Sequence, residues 1–188
     1  MKIIGFVHSN GERRKAKGKS LEWQMVLKGD SCLLNGRKPM FVPDWTTELG
    51  MTPCLILRVS RLGKGISERF AERYYDAVAP GADFAALDLL RETQEQGGSW
   101  TQAIGFDYSL AIGEYEPIPC PSLKGREFAG KELVLSPAEA IAEASRWMTI
   151  RQGDLIYIQA EQAPRIVNKE EIISLTIDGE EKLYCKIK

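Results

Sequence analysis

The chain has 188 residues, long enough for one domain that buries about two thirds of the surface of its unfolded state. Its 25 Lys and Arg residues against 26 Asp and Glu residues give a net charge of −1, so there is no overall positive charge for holding a nucleic acid or an anionic membrane. No apolar run approaches the roughly 20 residues of a membrane span, and the N-terminal apolar stretch is too short for a signal peptide, so we expect a cytoplasmic protein.

The cysteine and histidine content argues against the common zinc and redox sites. The cysteines have no C-x-x-C spacing, and the chain has a single histidine. Zinc sites and thioredoxin-type motifs both need such closely spaced ligands. We therefore expect free, mostly buried thiols at Cys32, Cys54, Cys120 and Cys185.

Predicted strands dominate the first part of the chain. Apolar runs predict strands at residues 2–7, 23–28 and 31–34. Residues 12–19 carry mostly Arg and Lys, which is typical of a solvated cationic loop. Asn35 and Gly36 stand between apolar flanks, a pattern that predicts a tight hairpin turn.

The stretch 52–90 is expected to organise the site. Its apolar block 55–59 predicts a strand that is covered on both faces. After a glycine-containing turn, Ser67 is placed to cap a short helix, and Pro80 with Gly81 should end that helix.

A second strand within this stretch is expected to deliver Asp83 into the interior. A helical pattern restarts at Leu87, and Gly97 with Gly98 ends it. Asp83 is therefore placed shortly before the start of a helix.

The second half alternates short strands with one well-marked helix. Ser136 and Glu139 have the spacing of a capping box, with proline at the first helical position, and the helix reads through Trp147. Strands are predicted at residues 109–112, 133–135, 155–158, 172–177 and 183–187. Many strands with few short helices predict a β-dominated α+β protein, organised as a single domain over residues 1–188.

Several motifs resemble the fumarylacetoacetate hydrolase family. They are Arg-Leu-Gly-Lys at 61–64, Phe-Ala-Glu-Arg-Tyr-Tyr-Asp-Ala-Val at 70–78, Gly-x-Asp-Phe-x-Ala-x-Asp-Leu at 81–89, Gly-Phe-Asp at 105–107 and the segment 147–188. The resemblance covers essentially the whole chain. It implies a mixed β-sandwich roll and a homodimer.

The resemblance also implies a chemistry. Members of the family act on acylpyruvates and related β-dicarbonyl acids by hydrolysis, decarboxylation, hydration or tautomerisation. They chelate the oxo-acid through Mg2+ or Mn2+, hard cations that prefer oxygen ligands. The family supplies these ligands as a Glu-x-Glu pair on the central strand and one later Asp.

Most of these family positions are substituted in this chain. The two Glu positions hold Thr52 and Cys54, whereas the third ligand position keeps Asp83 and the following Asp is Asp88. The other substituted positions are Leu87 for an arginine, Leu90 for a glutamine, Ile104 for a lysine, and Ile158, Gln159, Ala160 and Glu161 for a Thr-Gly-Thr-Pro loop.

We therefore expect a catalytically degenerate family homologue that serves as a ligand-binding or dimeric scaffold protein, with no cofactor. The candidate ligand-binding residues are His8, Lys28, Asp83 and Asp88, and a small oxo-acid is the expected ligand. The alternative is an active hydrolase or lyase whose rearranged Mg2+ or Mn2+ site uses Asp83, with Glu48 or Glu161 contributing from another position.

Two further interpretations concern single residues. Asp83 is alternatively a structural carboxylate whose oxygens accept hydrogen bonds from backbone N–H groups. Cys54 is alternatively a nucleophile paired with His8, although a cysteine on a buried strand is more often an inert packing residue.

Overall fold

The computed structural model describes residues 1–8, 14–16, 19–21, 23–120, 123–128 and 130–188. Within the predicted cationic loop, residues 12, 13, 17 and 18 lie outside this part of the chain. No helix among the described residues is long and apolar enough to cross a membrane. The cysteines are free and buried, as the sequence predicts.

Strands make up most of the regular structure. The described strands are β1 (Ile3–His8), β2 (Arg14–Ala16), β3 (Lys19–Leu21), β4 (Trp23–Lys28), β5 (Leu33–Asn35), β6 (Leu49–Val59), β7 (Tyr75–Ala86), β8 (Leu110–Ile112), β9 (Glu116–Pro117), β10 (Leu123–Lys124), β11 (Glu127–Phe128), β12 (Lys131–Glu132), β13 (Leu155–Gln159), β14 (Arg165–Ile166), β15 (Ile172–Ile177) and β16 (Glu180–Lys186).

The described helices are short. They are α1 (Leu87–Glu95), α2 (Thr101–Ile104) and α3 (Pro137–Trp147), together with 3-10 helices at Asp30–Cys32 and Glu68–Arg73. The predicted β-dominated α+β class is confirmed.

One large mixed sheet organises the described residues. Its strand order is β4-β1-β13-β6-β7-β8-β5, with β14 added to β6 and β9 added to β7. The pairs β1–β13 and β5–β8 are parallel, whereas the other pairs in this sheet are antiparallel. Smaller sheets are formed by β10–β11–β12, by β15–β16 and by β2–β3.

The central strand β6 is buried on both faces, as its apolar block predicts. Leu55 and Leu57 face a core that includes Ile141 and Ala144 of α3. Ile56 faces the opposite core, where it packs with residues of β1, β8 and β13. Because side chains alternate along a strand, β6 separates these two cores.

The predicted capping box of α3 is confirmed. Ser136 Oγ accepts a hydrogen bond from the Glu139 backbone N–H, and a Glu139 carboxylate oxygen accepts one from the Ser136 backbone N–H. These bonds satisfy N–H groups that an uncapped helix leaves without partners.

The predicted hairpin at Asn35 and Gly36 is wrong. Gly36 does adopt the left-handed conformation of a turn, with φ of 72°. However, β5 pairs in parallel with β8, and Met40 bridges to Ile187 near the C-terminus. The segments before and after the turn therefore pair with different distant parts of the chain instead of with each other.

The predicted helix break at Pro80 and Gly81 is also wrong, since both residues lie inside β7. The Pro80 carbonyl accepts a hydrogen bond from Gly113 N on the side where pairing with β9 has ended and pairing with β8 begins. The absent N–H of proline therefore falls in a gap of the ladder, where it costs no strand hydrogen bond.

The short helix after Ser67 is present as the 3-10 helix Glu68–Arg73, but its predicted cap is wrong. The Ser67 side chain makes no capping hydrogen bond. On the predicted apolar face, Ala71 is buried, whereas the Phe70 ring is partly exposed beside the guanidinium groups of Arg69 and Arg73.

Tyr157 occupies space that only a glycine at position 5 leaves open. Gly5 on β1 pairs directly with Tyr157 on β13, and a Cβ at Gly5 would overlap the tyrosine ring. Tyr157 is fully buried. The large side chain is therefore accommodated by the bare backbone of the neighbouring strand.

We expect Gly5→Ala to lower the free energy of unfolding by about 1–3 kcal/mol, because overpacking forces the ring or the strand to move. Gly29→Ala is the matched control, since its Cβ would lie 4.0 Å from the nearest atom, Ser31 Oγ. Urea unfolding monitored by circular dichroism compares the two variants. Equal effects would contradict the close packing at Gly5.

Candidate functional site

The register of β6 and β7 builds the site. Thr52 on β6 pairs directly with Asp83 on β7. Both residues are buried, with 2% and 6% of their surface exposed. The prediction that a second strand delivers Asp83 into the interior is therefore confirmed, although Asp83 lies within the strand and α1 begins only at Leu87.

Lys28 forms a buried ion pair with Asp83. Lys28 Nζ lies 2.6 Å from Asp83 Oδ1, and the lysine side chain has no exposed surface. The ammonium also donates to the backbone O and the Oγ of Ser109, each at 3.0 Å. Its charge and its hydrogen-bonding capacity are thereby satisfied inside the protein.

Gln159 holds the other oxygen of Asp83. Gln159 Nε2 donates to Asp83 Oδ2 at 2.7 Å, and Gln159 Oε1 accepts a hydrogen bond from His8 N at 2.8 Å. Gln159 is 9% exposed at the end of β13. The Gln159 side chain therefore links the C-terminal end of β1 to the buried carboxylate of Asp83 through two hydrogen bonds.

Burial shapes the titration of the neighbouring groups. Burial, and then the charge of Asp83, raises the pKa of the Cys54 thiol well above its ordinary value, against an opposing effect of Lys28. Burial, followed by the charge of Asp83, likewise raises the pKa of Tyr157. Both groups are neutral at pH 7, and a protonated thiol is a poor nucleophile.

A cleft leads from the surface to Asp83. Its inner chamber has a volume of about 40 Å3, and its outer basin has a volume of about 470 Å3. The two parts share the lining residues His8, Leu87, Leu90, Gln94 and Pro164. They therefore form one continuous path, narrow at the carboxylate and wide at the mouth.

Several predicted site residues do meet in this cleft. His8, Thr52, Asp83, Leu87 and Ile104 all line the inner chamber. The ammonium of Lys28 lies behind Asp83, against Ser109.

Other predicted site residues lie elsewhere. Cys54 and Ala160 border a separate cavity of about 180 Å3, together with Pro53, Pro80 and other residues. Ile158 is buried in the core that packs on α3. The separate cavity lies next to the strand β6, so the two family positions Thr52 and Cys54 contribute to different spaces.

Asp88 ties α1 to the loop before β6. Its carboxylate accepts hydrogen bonds from Thr46 Oγ1 at 2.6 Å, from Thr47 N at 2.8 Å and from Leu89 N at 2.9 Å. Burial acts to raise the pKa of Asp88, but these hydrogen bonds outweigh it and hold the pKa well below the ordinary value. Asp88 thus acts here as a structural anchor of the helix that carries Leu87 and Leu90.

Curated proteins with similar sequences share one description. The mouse mitochondrial oxaloacetate tautomerase FAHD1 is 24% identical over 177 residues, which cover 87% of this chain and 80% of the mouse protein. The bovine protein of the same name is 23% identical over 197 residues, which cover 98% of this chain and 89% of that protein. No family model matches the chain.

Solved structures share the fold over the whole length. A Yersinia pestis protein described as belonging to the fumarylacetoacetate hydrolase family has a TM-score of 0.83 at 18% identity, covering 100% of this chain and 92% of that one. The chain therefore has the fold of this family. The family-type mixed sheet fold, predicted from the sequence, is confirmed.

Another solved structure with a similar fold contains a metal ion. Fumarylpyruvate hydrolase from Pseudomonas aeruginosa, in complex with Mn2+ and pyruvate, has a TM-score of 0.79 at 21% identity, covering 99% of this chain and 88% of that one. The question for this chain is whether its residues at the corresponding positions could bind such an ion.

The residues at the family's metal position do not fit Mg2+ or Mn2+. These cations prefer carboxylate ligands, whereas Thr52 supplies a hydroxyl and Cys54 a protonated thiol. Both oxygens of Asp83 are already held, by Lys28 and Gln159. Among the described residues there is no group of three or more His, Cys, Asp or Glu side chains that could hold a metal ion.

The alternative structural interpretation of Asp83 is correct in outline but names the wrong partners. Side chains of Lys28 and Gln159, rather than backbone N–H groups, satisfy the carboxylate. The sequence places Gln159 at a substituted family position but does not predict its contact with Asp83, and it does not single out Ser109. A polar side chain closing the apolar strand 155–158 was the available signal for Gln159.

The anchor at Asp88 gives a pH-dependent prediction. Asp88→Ala should lower the free energy of unfolding at pH 7 by about 1–2 kcal/mol, because it removes the hydrogen bonds that hold the loop to α1. Since the folded-state pKa is depressed, this stabilisation is complete above the unfolded pKa of about 3.9 and declines as the pH falls below it. Urea unfolding at pH 7 and at pH 3 measures both effects.

Asp44→Ala is the control for Asp88→Ala, because Asp44 is an exposed carboxylate on the same loop. It should leave the free energy of unfolding within about 0.5 kcal/mol of the wild type at both pH values. A difference between wild type and Asp88→Ala that stays constant from pH 7 to pH 3 would contradict the anchoring role.

Proposed function

We propose that the chain is a divergent member of the fumarylacetoacetate hydrolase family that binds a small carboxylic acid of the oxo-acid type in its cleft and does not turn it over by metal-dependent chemistry. The observation that carries the proposal is the state of Asp83. It is the carboxylate retained among the family's metal-ligand positions, and Lys28 and Gln159 hold both of its oxygens. The cleft is open to a ligand at its mouth, whereas the carboxylate at its base already has partners within the protein.

The dimensions of the cleft support a ligand in the outer basin. An inner chamber of about 40 Å3 has room for little more than one water molecule, whose share of liquid volume is about 30 Å3. The outer basin of about 470 Å3 falls within the range of roughly 300–1,000 Å3 that is usual for ligand sites. The ligand is therefore proposed to lie nearer the surface than Asp83.

The lining of the basin supports the class of ligand. Leu87 and Leu90 offer apolar walls, and Arg91 lies at the same opening. Arg91 forms an exposed ion pair with Glu48, with 2.7 Å between Nη2 and Oε2. Because exposed pairs contribute little, Arg91 can exchange Glu48 for the carboxylate of a ligand at low cost.

The alternative function is metal-dependent catalysis on acylpyruvates or oxaloacetate. The activities in the names of the mouse and Pseudomonas proteins favour it. It would require Asp83 to exchange its partners and further ligands to come from Glu48 or Glu161. Neither residue is among those that line the inner chamber.

The test uses the wild-type protein with pyruvate, oxaloacetate and an acylpyruvate as probes. Isothermal titration calorimetry should detect binding of at least one of these acids. Absorbance assays should show turnover no faster than the buffer rate, with or without Mn2+ or Mg2+. Leu90→Asp should weaken binding at least tenfold, because it places a negative charge in the wall of the basin.

Leu62→Asp is the control for the binding test, since Leu62 is 69% exposed and does not line the cleft. It should bind the acids as the wild type does. Mn2+-dependent turnover would establish the alternative function instead. The absence of binding by all three acids would overturn the proposed ligand class.

We also propose that the protein is a homodimer, as the family resemblance implies. Phe41 and Ile172 are 64% and 52% exposed, and they flank the end of the chain from opposite sides. Residues 40 and 172 pair with Ile187 and Lys186, respectively. Exposed apolar side chains on a protein surface can mark a protein contact, and these two lie on segments that pair with the same C-terminal stretch of the chain. The cytoplasmic location stays a prediction from the sequence.

Sedimentation equilibrium tests the dimer. The wild type should sediment as twice its 21.0 kDa chain mass, and Phe41→Glu with Ile172→Glu should shift it towards the monomer. Leu62→Glu, which changes an exposed leucine elsewhere, should leave the dimer intact. A monomeric wild type would rule out the dimer, and a dimer that survives both glutamates would rule out this surface.

A further inference from the structure

Gln159 contacts Asp83 at the inner chamber of the cleft. Gln159 and Asp83 both line the inner chamber, whereas Lys28 is fully buried behind the carboxylate. Oδ1 of Asp83 is the oxygen held by Lys28, and Oδ2 is the oxygen held by Gln159 Nε2 at 2.7 Å. An ion that entered from the cleft would have to bind at Oδ2.

The charges of the cluster are already balanced without such an ion. Asp83 contributes one negative charge, Lys28 contributes one positive charge, and Gln159 contributes a donor with no net charge. Thr52 adds a neutral hydroxyl, and burial keeps the Cys54 thiol protonated. A divalent cation would add uncompensated positive charge beside a buried ammonium, which is strongly unfavourable at low dielectric.

Gln159 is also held at its other end. Its Oε1 accepts the hydrogen bond from His8 N, so the side chain cannot turn away from Asp83 without breaking that hydrogen bond. Each buried polar group left without a partner costs about 1–3 kcal/mol. Displacing the amide therefore breaks hydrogen bonds at both ends of the side chain.

We infer that Gln159 is the residue that closes the site to divalent metal ions, because its amide N–H occupies the oxygen of Asp83 that an ion would need. This inference deepens the proposed function and rests on it. It assigns the exclusion of metal to one side chain at the end of β13, in addition to the missing carboxylates at positions 52 and 54.

The test is the isosteric substitution Gln159→Glu. It keeps the volume of the side chain, removes the donor from Asp83 Oδ2 and adds a second carboxylate, and one or two carboxylates suffice to hold Mg2+-like ions in many sites. Electron paramagnetic resonance of free Mn2+ should show binding at least tenfold tighter than to the wild type. The midpoint of thermal unfolding of Gln159→Glu should be lower than that of the wild type without Mn2+, and Mn2+ should restore it.

Two controls isolate the role of Asp83. Gln159→Met removes the donor without adding a ligand, and it should bind Mn2+ at least tenfold more weakly than Gln159→Glu. Gln159→Glu combined with Asp83→Asn should lose the gained binding. If the double variant binds Mn2+ as tightly as Gln159→Glu, Asp83 is not the oxygen that Gln159 covers, and the inference is overturned.

A second route keeps the inference testable if Gln159→Glu does not fold. Thr52→Glu with Gln159→Gly also presents two carboxylates to the chamber, and it should bind Mn2+ at least tenfold more tightly than Thr52→Glu alone. Equal affinities, or no binding by a folded variant, would overturn the role of Gln159. Since none of these variants enters the wild-type assays with oxo-acids, the proposed function can fail or succeed separately.

Discussion

The ion pair between Lys28 and Asp83 is the contact that closes the fold. Lys28 ends β4, Asp83 lies on β7, and β1, β13 and β6 stand between them in the order of the sheet. Contact at 2.6 Å across three intervening strands requires the sheet to curl into a roll. The same curl encloses Thr52 and Gln159 and creates the narrow base of the cleft. The curling of this one sheet therefore produces both the roll and the base of the cleft.

The buried polar side chains around Asp83 are paired with one another, so the cluster as a whole carries little net charge. The carboxylate has an ammonium on one side and an amide on the other, and its neighbours are a hydroxyl, a protonated thiol and apolar groups. The carboxylate and the ammonium at the centre of this cluster are stabilised because each lies against groups of opposite charge or of matching hydrogen-bonding capacity. The consequence is a rigid base beneath an open, mostly apolar basin.

The sequence predicted those parts of the molecule that depend on local patterns. The apolar blocks of β6 and β13, the capping box at Ser136 and the interior position of Asp83 follow from periodicity and spacing. The contacts of Lys28 and Gln159 with Asp83 could not be predicted, because they depend on which distant strands become neighbours. The same long-range pairing overrode the local turn signal at Asn35 and the local break signal at Pro80.

The self-contained charge balance at Asp83 constrains the evolutionary routes open to this protein. A carboxylate introduced at position 52, 54 or 159 would first stand unpaired beside another carboxylate in a buried place, which lowers stability before any ion is gained. Stepwise mutation towards a metal centre must therefore pass through a less stable intermediate, unless metal is abundant when the first substitution arises. The amide of Gln159 thus favours retention of the metal-free site over a return to a metal-binding one.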